Sequence, residues 1–335
     1  MSRQAEGSGV LVGLDEIRAA ADRIAGVVRR TPILTLSSGP GGQIGLKCEN
    51  LQRGGAFKLR GAYNFVSQIE AERRARGIIT YSSGNHGRAV ALAARELGIP
   101  AVVVVPTDAP TVKVEAILRD GAEIYKEGTT SIERQRKAEE IAARRDMTIV
   151  PPFDHPHIVA GQGTVGLEII EDWPQMERVV VPVGGGGLLA GVAAAVRAAL
   201  PAVEVYGVEP VGAASMRRSL QAGEPVTLDS VTSVADGLKP VRPGTLTFEH
   251  VRSLATDVVL VEDEEILQAL AWCAKEVRLL VEPSGAAALA ALLSRRLPEP
   301  ERPTAVVLSG GNVNPTDWAR WVSEHGRAVT DADER

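Results

Sequence analysis

One lysine carries the first chemical possibility. In the run Gln52-Arg53-Gly54-Gly55-Ala56-Phe57-Lys58-Leu59-Arg60-Gly61-Ala62, Lys58 stands among glycines and apolar side chains, just ahead of an expected helix. A lysine amine is nucleophilic only when deprotonated, and apolar or cationic surroundings lower its pKa. Arg60 is a candidate for the cationic neighbour. The competing reading is an ordinary solvated lysine beside a turn, as most lysines are.

Three further segments offer complementary chemistry. Tyr81-Ser82-Ser83-Gly84-Asn85-His86-Gly87-Arg88 runs from an expected strand into an expected helix. The carboxyl end of a parallel strand, feeding a helix N-terminus, is where anions bind in α/β sheets. These residues suit a carboxylate cradle, although a plain capping turn uses the same types. Val181-Pro182-Val183-Gly184-Gly185-Gly186-Gly187-Leu188 puts four glycines between strand and helix. Such a backbone can wrap a phosphate with its N–H groups, and glycine's chain entropy makes a purely structural run of four a poor alternative. Gly185-x-Gly187-x-x-Ala190 also fits a dinucleotide pattern, with Glu209 near the place of a ribose-binding acid. No Gly-Lys-Ser/Thr follows, which excludes a nucleoside-triphosphate P-loop. In Val307-Leu308-Ser309-Gly310-Gly311-Asn312 a strand ends on a hydroxyl at the sheet's carboxyl edge, where a turn serine would also fit.

Rigid elements must bring these segments together. Ile17, Ala20, Ala21, Ile24 and Val28 predict an amphipathic helix over 14–29, and Ala62, Phe65, Val66 and Ile69 predict another after Lys58. Strands at 78–81, 101–105 and 123–125 alternate with helices at 89–97, 112–120 and 131–145. After a break at Pro151-Pro152 come strands at 179–183, 205–208, 258–261 and 305–308, and helices at 188–199, 264–277 and 285–295. Such alternation predicts parallel sheets with crossover helices. The 131–145 helix is charged all round and reads as a solvated face. Asp154-His155-Pro156-His157 reads as a loop, because no partner ligands stand at metal-binding spacing. Cys48 and Cys273 lie in apolar patterns and read as core.

Composition narrows the function classes. The chain has 335 residues, 37 Lys+Arg against 42 Asp+Glu, and a formal charge of −5. It has no bulk electrostatic pull on nucleic acid or an anionic membrane. Hydrophobic residues make up 44%, enough for large cores, while 4% aromatics argue against base-stacking platforms. Two cysteines without a CxxC exclude a disulfide scaffold and fit a cytoplasmic setting. Neither a signal-peptide pattern nor a membrane-spanning run is expected.

Taken together in order and spacing, from about Ile17 to Val322, the four motifs resemble the fold-type-II pyridoxal-phosphate enzymes. The branch is that of threonine/serine dehydratases, serine racemases and threo-3-hydroxyaspartate dehydratases. The resemblance implies an α/β, two-domain fold. The larger domain would be discontinuous (1–67 and 148–322), the smaller one 68–147, and 323–335 a tail. It favours pyridoxal 5′-phosphate over a dinucleotide. Lys58 would be the Schiff-base lysine with Phe57 beside the cofactor. Asn85 would bond the ring 3′-oxygen, Gly184, Gly185, Gly186, Gly187 and Leu188 the phosphate, and Ser309 the pyridine nitrogen. Ser82, Ser83, Asn85 and His86 would receive the substrate carboxylate, with Ser83 also catalytic and Arg134 near the substrate. A neutral serine at the pyridine nitrogen favours expulsion of a β-leaving group over transamination. The implied activity is an ammonia-lyase for L-threonine and L-serine, in a homodimer or homotetramer. Serine racemase and hydroxyaspartate dehydratase are the alternatives.

Departures from the family pattern weigh between these. Ala56 replaces a common serine, as in the fungal racemase and hydroxyaspartate enzymes. Arg88 stands where relatives have glutamine or alanine, and is expected to face solvent. The racemases' divalent-cation site would fall on Glu209 and the Ala213 carbonyl, but Ser215 occupies the place of its second carboxylate. A hard cation prefers several charged oxygens. Asp236-Gly237-Leu238-Lys239-Pro240 lacks the serine that racemases keep after the lysine. The Ser215 departure counts against the cation site, and the missing serine shifts weight toward a dehydratase.

Overall fold

The structure is a computed structural model that describes residues 11–39, 42–82, 84–109, 111–129 and 131–326. In chain order its strands are β1 (Ile33–Gly39), β2 (Gly42–Lys47), β3 (Ile78–Tyr81), β4 (Ala101–Val105), β5 (Glu123–Lys126), β6 (Thr148–Ile149), β7 (Arg178–Pro182), β8 (Glu204–Pro210), β9 (Asp257–Val261) and β10 (Thr304–Val307). They form a six-stranded sheet, β1-β2-β10-β7-β8-β9, and a four-stranded sheet, β5-β4-β3-β6. Every pairing is parallel except β1–β2. The chain is thus α/β, with helices covering both sheets.

The valine-rich strands explain their own burial. Strand side chains alternate between faces. In β7, Val180 joins one core with Ile44, Leu46 and Val306, under the helices Asp263–Glu276 and Pro283–Leu293. Val179 and Val181 join the opposite core with Val205, Ala305 and Val307, under Gly187–Ala199 and Thr245–Leu254. Each fully buried valine or leucine contributes roughly 1.5–3 kcal/mol. The smaller sheet repeats the plan. Ile78, Val103 and Val105 face the helices Leu59–Val66 and Asn85–Leu97, and Ile79, Val102 and Val104 face Ser131–Arg145.

Several expectations shift. The first helix ends at Ile24, because Gly26 turns to φ +78°. The 131–145 helix is not solvated all round: Ala138, Ile141 and Ala142 are buried on the sheet. A boundary at 148 falls early, since Ile149 of β6 pairs with Ile79 in the smaller sheet. The helix Leu59–Val66 also contributes Leu59, Ala62 and Val66 to the smaller sheet's core. Residues 323–325 are no tail but the end of the helix Pro315–His325. The tail beyond 326, and Ser83, lie outside the described residues.

The expected loop at 154–157 instead opens a helix, Pro156–Asp172, with His155 as its N-cap. Its glycines concealed it in the sequence. A Cβ on Gly161 would meet the Cα of Gly61 at 2.6 Å, and one on Gly191 would meet the Val159 carbonyl at 2.4 Å. Small residues let this helix lie directly against Leu59–Val66 and Gly187–Ala199. It therefore ties the Lys58 segment to the glycine loop.

Candidate active site

Lys58 precedes its helix at the carboxyl edge of the larger sheet. An isolated bridge between Ala56 and Gly310 fixes that segment, and the Phe57 amide donates to the Ser309 carbonyl at 3.1 Å. Two motifs about 250 residues apart thereby share one edge. The Lys58 Nζ donates to the Pro152 carbonyl at 2.9 Å and lies 5.1 Å from the Phe57 ring centroid. Lys58 keeps some accessible surface, yet burial of its amine pushes the pKa down to about 8. Arg60 is not the cause. Its guanidinium is wholly buried and engaged, Nε to Glu49 at 2.9 Å and Nη1 to Glu168 at 2.6 Å. Desolvation alone activates the lysine.

The glycine loop joins β7 to the helix Gly187–Ala199. Gly186 has φ +95°, a left-handed conformation that favours glycine. A Cβ on Gly185 would lie 2.3 Å from the Phe153 ring, and one on Gly187 would lie 3.0 Å from the Phe153 Cβ. Thr247 Oγ1 donates to the Gly185 carbonyl at 2.6 Å and holds the loop from behind. Among the described residues, the amides of Gly184–188 have no backbone acceptor. They form a set of donors at a helix N-terminus, the arrangement that binds phosphate.

His86 is buried, and its Nε2 meets the Val150 carbonyl at 3.2 Å. Since a carbonyl only accepts, Nε2 carries the proton. Burial, reinforced by the positive charge of Lys58, pushes the His86 pKa down to about 3. The ring is therefore neutral. Ser82 accepts from the Gly84 amide at 3.3 Å, within its own loop. Asn85 opens the helix Asn85–Leu97; its Nδ2 donates to Glu282 at 2.6 Å and its Oδ1 accepts from Asn312 at 2.8 Å. Ser309 is buried, and among the described residues its hydroxyl makes one long hydrogen bond, 3.4 Å, to the Ser284 carbonyl.

Arg134 donates to the Thr129 carbonyl at 3.2 Å. Arg88 does not face solvent alone: its Nη1 donates to Asn312 at 2.9 Å. Glu209 is wholly buried, and its oxygens accept from the Met216 and Arg217 amides, both at 2.8 Å. Burial raises its pKa to about 8. Ala213 lies in the turn before that helix, and Ser215 begins it. Glu209 thus holds a helix start, and Ser215, not a second carboxylate, begins that helix, so the donor set does not fit a carboxylate-rich cation site. Cys48 and Cys273 are buried in the core, and burial raises both thiol pKa values.

Three contributors went unread in the sequence. Glu282 is buried beside Asn85, with its pKa raised to about 8, chiefly by burial. Phe153 backs the glycine loop, and Asn312 links Asn85 to Gly54. The nearest local signal was Asn312 itself, inside the Ser-Gly-Gly-Asn run.

A desolvated lysine and a phosphate-type glycine loop, set on parallel-sheet edges, define an α/β enzyme built around a phosphorylated aldehyde cofactor. The family model "Pyridoxal-phosphate dependent enzyme" matches residues 24–310, and the chain belongs to that family, in its fold-type-II branch. It is 38% identical over 318 residues to the serine racemase of Schizosaccharomyces pombe, covering 94% of this chain and 98% of the relative. It is 44% identical over 301 residues to the L-threonine ammonia-lyase of Geobacter sulfurreducens, covering 89% and 75%. The solved maize serine racemase superposes with a TM-score of 0.89 at 36% identity, covering 96% of this chain and 100% of that one. No helix among the described residues is long and apolar enough to cross a membrane.

Proposed function

We propose that the chain is an ammonia-lyase that converts L-threonine to 2-oxobutanoate and L-serine to pyruvate, each with ammonia, by β-elimination. The observation that carries the reading is Lys58, an amine with its pKa lowered to about 8, on the same sheet edge as the glycine loop. Pyridoxal phosphate, when bound, supplies the conjugated acceptor that makes an amino acid's Cα proton acidic. Lys58 would hold it, and its neutral amine would serve as the base for that proton. A pKa of about 8 keeps a useful neutral fraction near pH 7, as a general base requires.

The remaining residues bind and orient. The amides of Gly184, Gly185, Gly186, Gly187 and Leu188 hold the phosphate, and Phe57 packs beside the ring. Ser309 meets the pyridine nitrogen as a neutral partner, and Asn85 donates to the ring oxygen. Ser82, Ser83, Asn85 and neutral His86 receive the substrate carboxylate at a helix N-terminus. Lyase is favoured over racemase because Ser215 stands in place of a second carboxylate beside Glu209, and because Pro240 follows Lys239.

The test is a parallel assay of the reconstituted enzyme on L-threonine, L-serine and L-threo-3-hydroxyaspartate, with and without chelator. Both 2-oxo acid and D-amino acid are quantified. Fastest 2-oxobutanoate release, indifferent to chelator, supports the proposal. D-serine as the main product moves the chain to the racemases, and preferred turnover of hydroxyaspartate makes it a lyase of that substrate.

A further inference from the structure

Asn85 does not stand alone; it is the third member of a hydrogen-bonded chain of four side chains drawn from both units. Arg88 Nη1 donates to Asn312 Oδ1 at 2.9 Å. Asn312 Nδ2 donates to Asn85 Oδ1 at 2.8 Å and to the Gly54 carbonyl at 2.7 Å. Asn85 Nδ2 donates to Glu282 Oε1 at 2.6 Å.

The direction of this chain is chemically forced. A carboxamide presents a donor at one end and an acceptor at the other, and its two orientations are nearly isosteric. Asn312 has no such freedom. Arg88 can only donate, so the atom facing it must be oxygen. The Gly54 carbonyl can only accept, so the atom facing it must be the amide nitrogen. Asn312 must then donate to Asn85, which leaves Asn85 its oxygen on that side and its nitrogen toward Glu282. Among the described residues, the second hydrogen on Asn85 Nδ2 has no acceptor. The surrounding backbone is shaped for this arrangement. Gly55 has φ +76°, and a Cβ there would lie 2.3 Å from Asn312 Oδ1. The Gly55 carbonyl also accepts from the Gly311 amide at 2.8 Å, which seats the turn that carries Asn312.

We infer that Asn312 is a positioning residue that fixes the polarity of the Asn85 carboxamide, so that Asn85 always offers a hydrogen-bond donor to the cofactor's ring oxygen. The inference rests on the proposed placement of that oxygen at Asn85. Its consequence is electronic. A donor stabilises the ionised ring oxygen, whose chromophore absorbs in the visible, over the protonated form, which absorbs in the near ultraviolet. Arg88 and the Gly54 carbonyl hold Asn312 from opposite ends, so the polarity is secured twice.

The experiment compares absorption spectra of the wild-type holoenzyme with those of Asn312→Asp, Asn312→Leu and Lys58→Ala. Asn312→Asp preserves shape and turns the Arg88 hydrogen bond into an ion pair, but it turns an acceptor toward Asn85 and inverts the chain. Asn312→Leu removes every hydrogen bond of that side chain and merely releases Asn85. The visible to near-ultraviolet ratio is expected to fall roughly fivefold in Asn312→Asp, the equilibrium shift that one net hydrogen bond supplies, and by less in Asn312→Leu. A purely structural role predicts the opposite order, since leucine loses more contacts. An unchanged ratio in Asn312→Asp, or a larger fall in Asn312→Leu, overturns the proposal alone. A wild-type spectrum with no visible band that depends on Lys58 overturns the cofactor placement as well.

Discussion

Removing the Lys58 amine should change the stability of the cofactor-free protein in a way that depends on pH. Desolvation lowers this pKa from 10.5 to about 8. Between those values the unfolded chain binds a proton that the folded chain does not, so folding stability rises with pH across that window. Below about 8 the folded protein carries the full penalty of a desolvated ammonium. The 2.5-unit gap corresponds to about 3 kcal/mol between pH 7 and pH 10.5. Lys58→Met abolishes the titration and leaves the other ionisable groups in place. The stability difference between Lys58→Met and wild type should therefore move by about 3 kcal/mol in favour of wild type as pH rises from 7 to 10.5. The lost bond to the Pro152 carbonyl and the altered packing shift the curve as a whole but not its slope. The assay is denaturant unfolding of both apo-proteins across that range. A flat difference would refute the argument, because it would mean that Lys58 titrates normally in the folded state.

Gly185→Ala should weaken cofactor binding at least tenfold and lower the melting temperature, because the new Cβ would stand 2.3 Å from the Phe153 ring, and overpacking costs about 1–3 kcal/mol; equilibrium titration of the apo-protein with pyridoxal phosphate reads it. Arg60→Met should destabilise the fold by about 3–5 kcal/mol, since it leaves Glu49 buried and unpaired; chemical denaturation would show it, and a loss of activity without a loss of stability would point to a chemical role instead. Glu282 has its pKa raised from 4.5 to about 8, so the folded state holds a proton that the unfolded chain releases, and stability falls as pH rises through that window. Glu282→Gln should therefore gain stability relative to wild type between pH 4.5 and 8, as paired thermal melts would reveal.

Some of this protein was written in local sequence. Lys58 beside glycines, the four-glycine run, the segment from Ser82 to His86 and Ser309 are each contiguous, and the glycine run and Ser309 follow strands that their own valines define. Alternating strands and helices were readable because burial on both faces imposes continuous apolar runs, as in β4 and β7. Local sequence could not assign partners. Arg60 read as a cation near Lys58, but a buried carboxylate, Glu49, and a partly buried one 108 residues away, Glu168, claim it. Arg88 read as solvent-facing, yet it meets Asn312 across 224 residues. The helix Pro156–Asp172 was hidden by glycines whose purpose, the close approach of two other helices, exists only once those helices are packed. Glu209 matched a cation-ligand position by resemblance, and in the folded chain both its oxygens accept amides at a helix start. The sequence by itself determined which chemical groups are present and the elements that carry them. Only the tertiary structure decided which of those groups are desolvated, which are neutralised, and which way their hydrogen bonds run, because each depends on neighbours supplied by distant chain.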